Sequence, residues 1–452
     1  MIKNSTNPQD ENGSQLNSNK QTFNIYSTNL MLEDDQLNYG KQSKLRELHY
    51  KYQDWNANVY KFLRAHPLIG YSGKRILYGL LTLLIAIIIL FLLVNAVTDV
   101  NNYMPSNVDK LGLGSPGDER YQRFLDERMK LFGVYGSWWD RLLNYLKNIT
   151  PFIPKTIVTG VTITFNGAIN PEVPAVLVAD NFTGLASDIV NLTGKSIAEL
   201  GLTTTTKTVW VYLGVVSSSS IGTPGTSEVM TLFSNAIPYS LAFGSVAVII
   251  SYLIGVPLGI QAAKRKGKHS DNAINGTSIL FIAAPGIVII IGIYLLSISV
   301  FGHSAMFNSG SFWTKFWPVV ALVAMMAPQT IIFTRRYVID EMTADYTKFA
   351  LSKGMGEARV YYIHIFRNAG IRILRVFPLD LAVTLFGISI LTEQQWGIPG
   401  MGSFIVKSIS GNKDSFVILG YVSFAAFVRI FGSLVSDLMM VWMDPRVTLT
   451  KN

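Results

Sequence analysis

The residues of this chain that could do chemistry are few, and the telling ones are charges set inside long apolar runs. Arg429 stands near the middle of the run 416–443, Asp437 lies two turns further on, and Asp380 sits near one end of the run 376–391. A charge at mid-depth in a bilayer costs about 2.5–3.5 kcal/mol on insertion scales, so such groups face protein or a water-filled path. Two roles stay open for Asp380, Arg429 and Asp437. They line a translocation pathway, with Arg429 drawing a substrate carboxylate, or Arg429 pairs with Asp437 or Asp380 and holds helices together. Other chemistry finds no support. There is no G-x-x-x-x-G-K-[ST] loop to cradle ATP phosphates, and GLTTTTKT near Leu202 lacks the second glycine. The five histidines show no metal-ligand spacing, so no metal site is expected. With no cysteine, disulfides and thiolate chemistry are excluded. Ser389 in FGISIL has neither the following glycine nor the base that a serine nucleophile needs. No catalytic residue is assigned, and the chain is not expected to be an enzyme.

The elements that carry these charges are membrane spans. Of the 452 residues 49% are hydrophobic and only 15% charged, and the mean hydropathy is +0.31, values that point to a membrane protein. The run 76–97 is uncharged and long enough to cross a ~30 Å hydrocarbon core at ~1.5 Å per residue. Further spans read as 237–262, 275–301, 316–333, 376–391 and 416–443, the fifth being short and open to extension back through Ile373. The net charge of +9 does not argue for nucleic acid, because the basic residues cluster beside the spans. Lys74 and Arg75 precede the first span, Lys264, Arg265, Lys266 and Lys268 follow the second, and eight Lys and Arg residues occupy the loop 335–375. The short loops of the other side hold only Lys315, then Lys407 and Lys413. By the positive-inside rule both termini and the loop 335–375 are cytoplasmic.

Outside the spans, residues 1–43 are polar and are expected to be a disordered cytoplasmic tail. Residues 44–70 carry apolar positions at steps of three and four, as expected of an amphipathic cytoplasmic helix lying on the inner membrane surface; a coiled-coil contact is the rival reading. The first long apolar run starts at Ile76, too late for a cleavable signal peptide. Residues 98–236 form a long extracellular region, helical over 118–148 and then β-rich over about 156–220, where Val161, Ile163 and Phe165 alternate with threonines and TTTTKTVWVYLGVV is β-prone. Residues 444–452 form a cytoplasmic C-terminus.

The loop 335–375 contains a stretch suited to docking. Met342, Tyr346, Phe349 and Ala350, with Lys353 next, follow i, i+4, i+7, i+8 and i+11 spacing and make one face of a short helix. Asp345 stands at its start and Gly354 at its end, where a left-handed stop belongs; a second helical run begins at Glu357. Such a helix lies in a groove on a partner, or covers loops of its own chain. DYTKFALSKGMGEARVYYIHIFRNAG resembles the cytoplasmic coupling loop of ABC-transporter permeases of the oligopeptide/dipeptide (Opp/Dpp) family, at Asp345, Tyr346, Ala350, Lys353, Gly354, His364, Arg367, Asn368 and Ala369. One departure is Arg372, which stands about where the family has proline, at the start of the next helix. The second span resembles the family's at Gly255, Pro257 and Gly259, EQQWGIPGMG resembles its external gate motif at Glu393, Pro399, Gly400 and Gly402, and the C-terminal end matches at Asp437, Asp444, Pro445 and Arg446. These matches run through spans two to six, and the start at span one resembles the B-type subunit.

The resemblance implies an all-α polytopic membrane protein of six transmembrane helices with the type I ABC importer permease fold, carrying an extracellular insertion that is partly β. It implies a permease subunit of an ATP-driven peptide importer in a bacterial cell membrane. Its partners would be a second, C-type permease chain, two ATPase subunits that hold the ATP and Mg2+, an extracellular substrate-binding protein, and the peptide substrate in the lipid bilayer. Met342, Asp345, Tyr346, Phe349, Ala350, Lys353, Gly354 and Glu357 would then couple to the ATPases. The insertion would meet the binding protein, shield the outer mouth, or only pack. Two rivals are an ion-coupled secondary transporter, disfavoured because no internal repeats are visible, and a membrane scaffold or receptor with an extracellular β domain.

Overall fold

The computed structural model describes residues 47, 49, 51–53, 67–104, 115–170, 173–202, 205–219, 221–410 and 413–443. The chain divides into two compact units, Met1–Gly70 and Tyr71–Asn452. Of the first, Glu47, His49 and 51–53 are helical, and Lys51 pairs with Glu47 at 2.8 Å. The tail 1–43, the rest of the amphipathic segment 44–66 and the C-terminus 444–452 lie outside the described residues.

Helix α1 (Pro67–Val97) opens with proline at its first position, where the missing N–H costs nothing. A long segment follows, with a 3-10 turn (Val100–Tyr103), α2 (Glu119–Leu131), α3 (Trp138–Ile149), β1 (Lys155–Asn170), β2 (Val173–Leu185), α4 (Ala186–Thr193) and β3 (Thr206–Val209). The membrane helices resume as α5 (Val229–Lys264), α6 (His269–Ala283), α7 (Gly286–Ser299) and α8 (Trp313–Met342). Short α9 (Asp345–Ser352) precedes the long helix α10 (Glu357–Trp396), after which come α11 (Met401–Ser410) and α12 (Ser415–Met443). Five helices are long and apolar enough to cross a membrane: α1, α5, α8, α10 and α12; the pair α6–α7 makes the count six if read as one span.

That pair corrects the expectation of one straight span over 275–301. It bends by 102° between its halves. Pro285 supplies no N–H, and Ala284 before it is extended at ψ 136°, as a residue preceding proline prefers. The fifth span is longer than expected. Helix α10 runs 40 residues and contains two π-turns, Val360–Ile365 and Thr384–Ile388; the first carries the helix on, and the second holds a kink at Phe386, whose φ of −123° and ψ of 16° are not helical. Arg372 lies within this helix, so the absence of proline there leaves it continuous.

Helices α5 and α8 approach most closely at Gly255 and Gly259. A Cβ at Gly255 would lie 2.8 Å from the Thr330 side chain, and one at Gly259 2.7 Å from the Ile331 carbonyl oxygen. This small-xxx-small spacing lets two backbones meet where apolar lipid offers no driving force for association.

In the segment between α1 and α5, the three strands form an antiparallel sheet of order β2-β1-β3. The β-prone stretch after Thr206 yields only four residues of strand. Its continuation leaves the sheet because Leu213, Val215 and Val216 are drawn into a core shared with Phe233 of α5, Met401 and Ile405 of α11 and Val417 of α12. The sheet thus has no core separate from the membrane helices. A buried carboxylate fastens the join: Asp414 accepts the backbone N–H groups of Ser217 (2.7 Å), Ser218 (2.9 Å) and Val417 (3.1 Å).

Candidate functional site

Two features of the membrane core stand out, a knob between α8 and α10 and a set of charges and polar groups along the helices. The knob is α9. Its stop is a complete Schellman arrangement. Gly354 adopts φ +77°, its N–H donates to the Leu351 carbonyl (2.9 Å), and the Met355 N–H donates to the Ala350 carbonyl (3.3 Å). Met355 and Ala350 then meet in one apolar cluster with Ala263, Val338, Val360 and Ile365.

The apolar stripe faces this chain over most of its length, with Ala350 buried and Tyr346 and Met342 part-buried. Ala350 is buried in that cluster, and Met342 is half-buried against it. The Tyr346 hydroxyl donates to Glu341 Oε2 (2.5 Å), and the Thr347 hydroxyl donates to the Glu341 backbone carbonyl (2.8 Å). Glu341 is also paired with Arg372 of α10 at 3.1 Å. Ala350 packs against Val338 of α8 and Val360 and Ile365 of α10, and Phe349, about 100° further round the helix, points away from them. Phe349 is 60% exposed and Leu351, on the other flank, 45% exposed; Asp345, Lys348, Lys353 and Glu357 are exposed as well. The Lys353 ammonium stands 4.5 Å from the Phe349 ring centroid, and Lys348 pairs with Asp345 at 3.1 Å. Leu351 lies off the expected stripe, two residues and about 200° around the helix from Phe349. Lys264, at the end of α5, lies 4.3 Å from the Tyr361 ring and 4.8 Å from that of Tyr362, tying α5 to the same base.

The intramembrane charges are not paired as expected. Asp437 binds Arg75 of α1 (Nε to Oδ2, 2.6 Å) and Arg375 of α10 (Nη2 to Oδ1, 3.4 Å). Asp380 accepts from the Tyr252 hydroxyl at 2.7 Å. Arg429 is exposed and forms no ion pair among the described residues. Eight residues separate it from Asp437 on one helix, ~12 Å along the axis, beyond the reach of a direct pair. Among the described residues neither Asp437 nor Asp380 forms an ion pair with Arg429. An open, largely apolar groove of about 720 Å³ runs beside Asp380, lined by Tyr252, Val256, Arg367, Leu374, Phe377 and Trp442.

At the opposite end of the bundle, Glu393 is buried and its Oε2 accepts the Gly402 N–H at 2.7 Å, holding the start of α11. A Cβ at Gly400 would fall 2.4 Å from the Glu393 carboxyl group, and one at Gly402 2.6 Å from Ile390 Cα. Glycine is required at 402, where the clash is with backbone; a side chain at 400 would displace the Glu393 carboxyl group. Pro399, just before Gly400, is exposed. Among the described residues no group of three or more His, Asp and Glu is placed to hold a metal ion.

A family model described as "Binding-protein-dependent transport system inner membrane component" matches residues 255–449. The dipeptide transport system permease protein DppB of Bacillus subtilis is 30% identical over 236 residues, covering 51% of this chain and 74% of its own. The chain belongs to this permease family, in its oligopeptide/dipeptide branch. DppB of Lactococcus lactis is 29% identical over 248 residues, 53% of this chain and 80% of that one. The oligopeptide transport system permease protein AmiC of Streptococcus pneumoniae is 25% identical over 347 residues, 75% of this chain and 69% of its own. That last match is too long to be confined to the membrane core, so most of the segment between α1 and α5 lies within the stretch this permease shares with AmiC. The chain is a multi-pass membrane component of an ABC importer.

Proposed function

We propose that this permease is a B-type subunit forming half of the translocation pathway of an ATP-driven importer of peptides in a bacterial cell membrane. A second, C-type permease chain would complete the pathway, two ATPase subunits would supply ATP and Mg2+ chemistry that this chain does not perform, and an extracellular binding protein would deliver the peptide. Both termini and α9 lie on the cytoplasmic side in this reading, in keeping with Lys264, Arg265, Lys266 and Lys268 at that end.

The observation that carries the reading is the mounting of α9. One side of it is fixed to α8 and α10 through Glu341, Tyr346, Thr347 and Arg372; the open side presents exposed Phe349 with Asp345 and Lys348 beside it, and exposed Leu351 on the opposite flank. An exposed aromatic bordered by charges is what a groove on a partner takes up. Because the base is held at two helices, a displacement of the tip moves α8 and α10 as a body. Closure of the ATPases on ATP would thus turn both helices and switch access from one side to the other. Phe349→Asp sets a charge at the tip and leaves the buried base intact. Expected are a loss of co-purifying ATPase of at least about tenfold, the scale of a removed apolar anchor, and loss of ATP-driven uptake, while the permease keeps its melting temperature. ATPase that co-purifies undiminished with the variant would refute the docking role.

A further inference from the structure

Helix α3 carries more apolar surface than the protein uses. Leu142 and Tyr145 are buried against Ile87 and Phe91 of α1, the Tyr145 and Phe91 rings stack at 6.1 Å, and Arg141 donates to Asn95 Oδ1 at 3.3 Å. At 100° per residue a second apolar flank lies beside this buried one, formed by Trp139, Leu143 and half-buried Leu146. Trp139 is 57% and Leu143 61% exposed. Asp140, Asn144 and Lys147 occupy the remaining, polar side. The chain leaving α3 adds exposed Phe152, and Trp210 comes beside it through Lys155, whose ammonium donates to the carbonyls of both Thr150 and Trp210.

The level of this patch is set by α1. Ile87 and Phe91 precede the end of that spanning helix at Val97 by ten and six residues, ~15 and ~9 Å along its axis. A helix packed there sits at the boundary of the hydrocarbon layer and not above it. The outward flank of α1 at the same height, Leu92 and Leu93, is exposed apolar surface of a membrane span, so the patch continues a lipid-facing surface. Tryptophan and other amphipathic rings collect at that boundary, and a helix with one polar and one wide apolar side lies flat in it.

We infer that α3, with Phe152 and Trp210, is an interfacial anchor lying in the lipid headgroup layer at the end of α1 distant from α9. The occupant of its exposed flank is lipid. The anchor would fix the height of the sheet and α4 over the mouth of the pathway.

The absence of cysteine from the natural sequence makes single spin labels straightforward. Leu143→Cys, Phe152→Cys and Asn144→Cys are each labelled with a nitroxide in the full chain, purified with the subunits it carries and placed in phosphatidylglycerol nanodiscs. Collision rates are read with molecular oxygen, which concentrates in lipid, and with a water-soluble nickel chelate. At positions 143 and 152 the oxygen-to-nickel ratio is expected to be several-fold higher than at 144. Equal ratios at all three sites would place the flank in water and overturn the inference. Shielding of 143 and 152 from both reagents would mean that protein covers them, and would overturn it as well.

Discussion

Asp188 lies on α4, lining a small, partly open cavity with Arg141, Tyr145, Tyr212 and Asn148. Burial pushes its carboxyl up to about 7, against the opposing pull of the Ser187 hydroxyl and Lys147. The folded segment therefore holds a proton that the opened chain releases between the ordinary carboxylate range and about 7. Stability is fully present below that window, falls as pH rises through it, and stays at the lower level above it. Hydrogen exchange of the α4 amides, corrected for intrinsic rate, should show an opening constant that rises by about tenfold per pH unit at its steepest, one proton's worth. Asp188→Asn should flatten that slope, and an unchanged slope would remove Asp188 as its source. Nothing in the local sequence ASDIVNLT marks this aspartate; its burial is created by the turn after α2, by Tyr212 and by the end of α1. The same holds for Asp437. Its partner Arg75 is 362 residues away along the chain, while Arg429, the apparent candidate on its own helix, is out of reach.

Among the elements, α5 and α8 illustrate how backbone proximity is bought with glycine. The resemblance singled out Gly255 and Gly259, and the packing explains them. The Cβ of any larger residue at 259 meets the carbonyl oxygen of Ile331 and the side chain of Thr334, and a backbone carbonyl cannot turn aside. Gly259→Leu should separate the two helices and destabilise the permease by about 1–3 kcal/mol or more, as overpacked cores do, seen as a lower melting temperature in detergent. Gly292→Ala, at a position with nothing within 4 Å, is the control and should leave the melting temperature unchanged; equal effects would show that the α5–α8 approach is not the cause. The bounds of α9 were legible beforehand, since Gly354 stops it through the nearest backbone groups and Asp345 stands in its first turn, where an acidic residue suits the helix dipole. Its inward face was not, because a stripe of period 3.6 looks the same whether its own chain or a partner covers it.

At the scale of the whole molecule, the exposed residues that lack a partner become the informative ones. Arg429 is a full charge on a spanning helix with no ion pair among the described residues, a costly arrangement unless water, substrate or a second chain meets it. If it lines the pathway of the assembled importer, Arg429→Met should lower peptide uptake by at least about tenfold, the size of one charge-assisted hydrogen bond. ATPase binding through α9 should persist, and Arg429→Lys should keep part of the uptake. Wild-type transport with normal coupling in both variants would remove Arg429 from the pathway. The segment between α1 and α5 belongs to the same scale. It shares its core with α5, α11 and α12 and is latched by Asp414, so it moves with the membrane helices and not as a separate domain on a tether.

The sequence alone determined the apolar, membrane-crossing character of the chain, the side on which positive charge gathers, the limits of α9 and the family. All of these rest on short-range quantities: hydropathy summed over a window, the conformational freedom of one glycine, the order of local motifs. Only the tertiary structure decided that Ala350 turns inward and Phe349 outward, that 275–301 breaks at Pro285, that α10 runs on through Arg372, and that Asp437 belongs to Arg75 and Arg375. Proline at 285 permits a helix to run on with a kink or to break, and one charge can meet any of several others. Which outcome holds is set by packing between segments far apart in the chain, and that information resides in no single stretch of it.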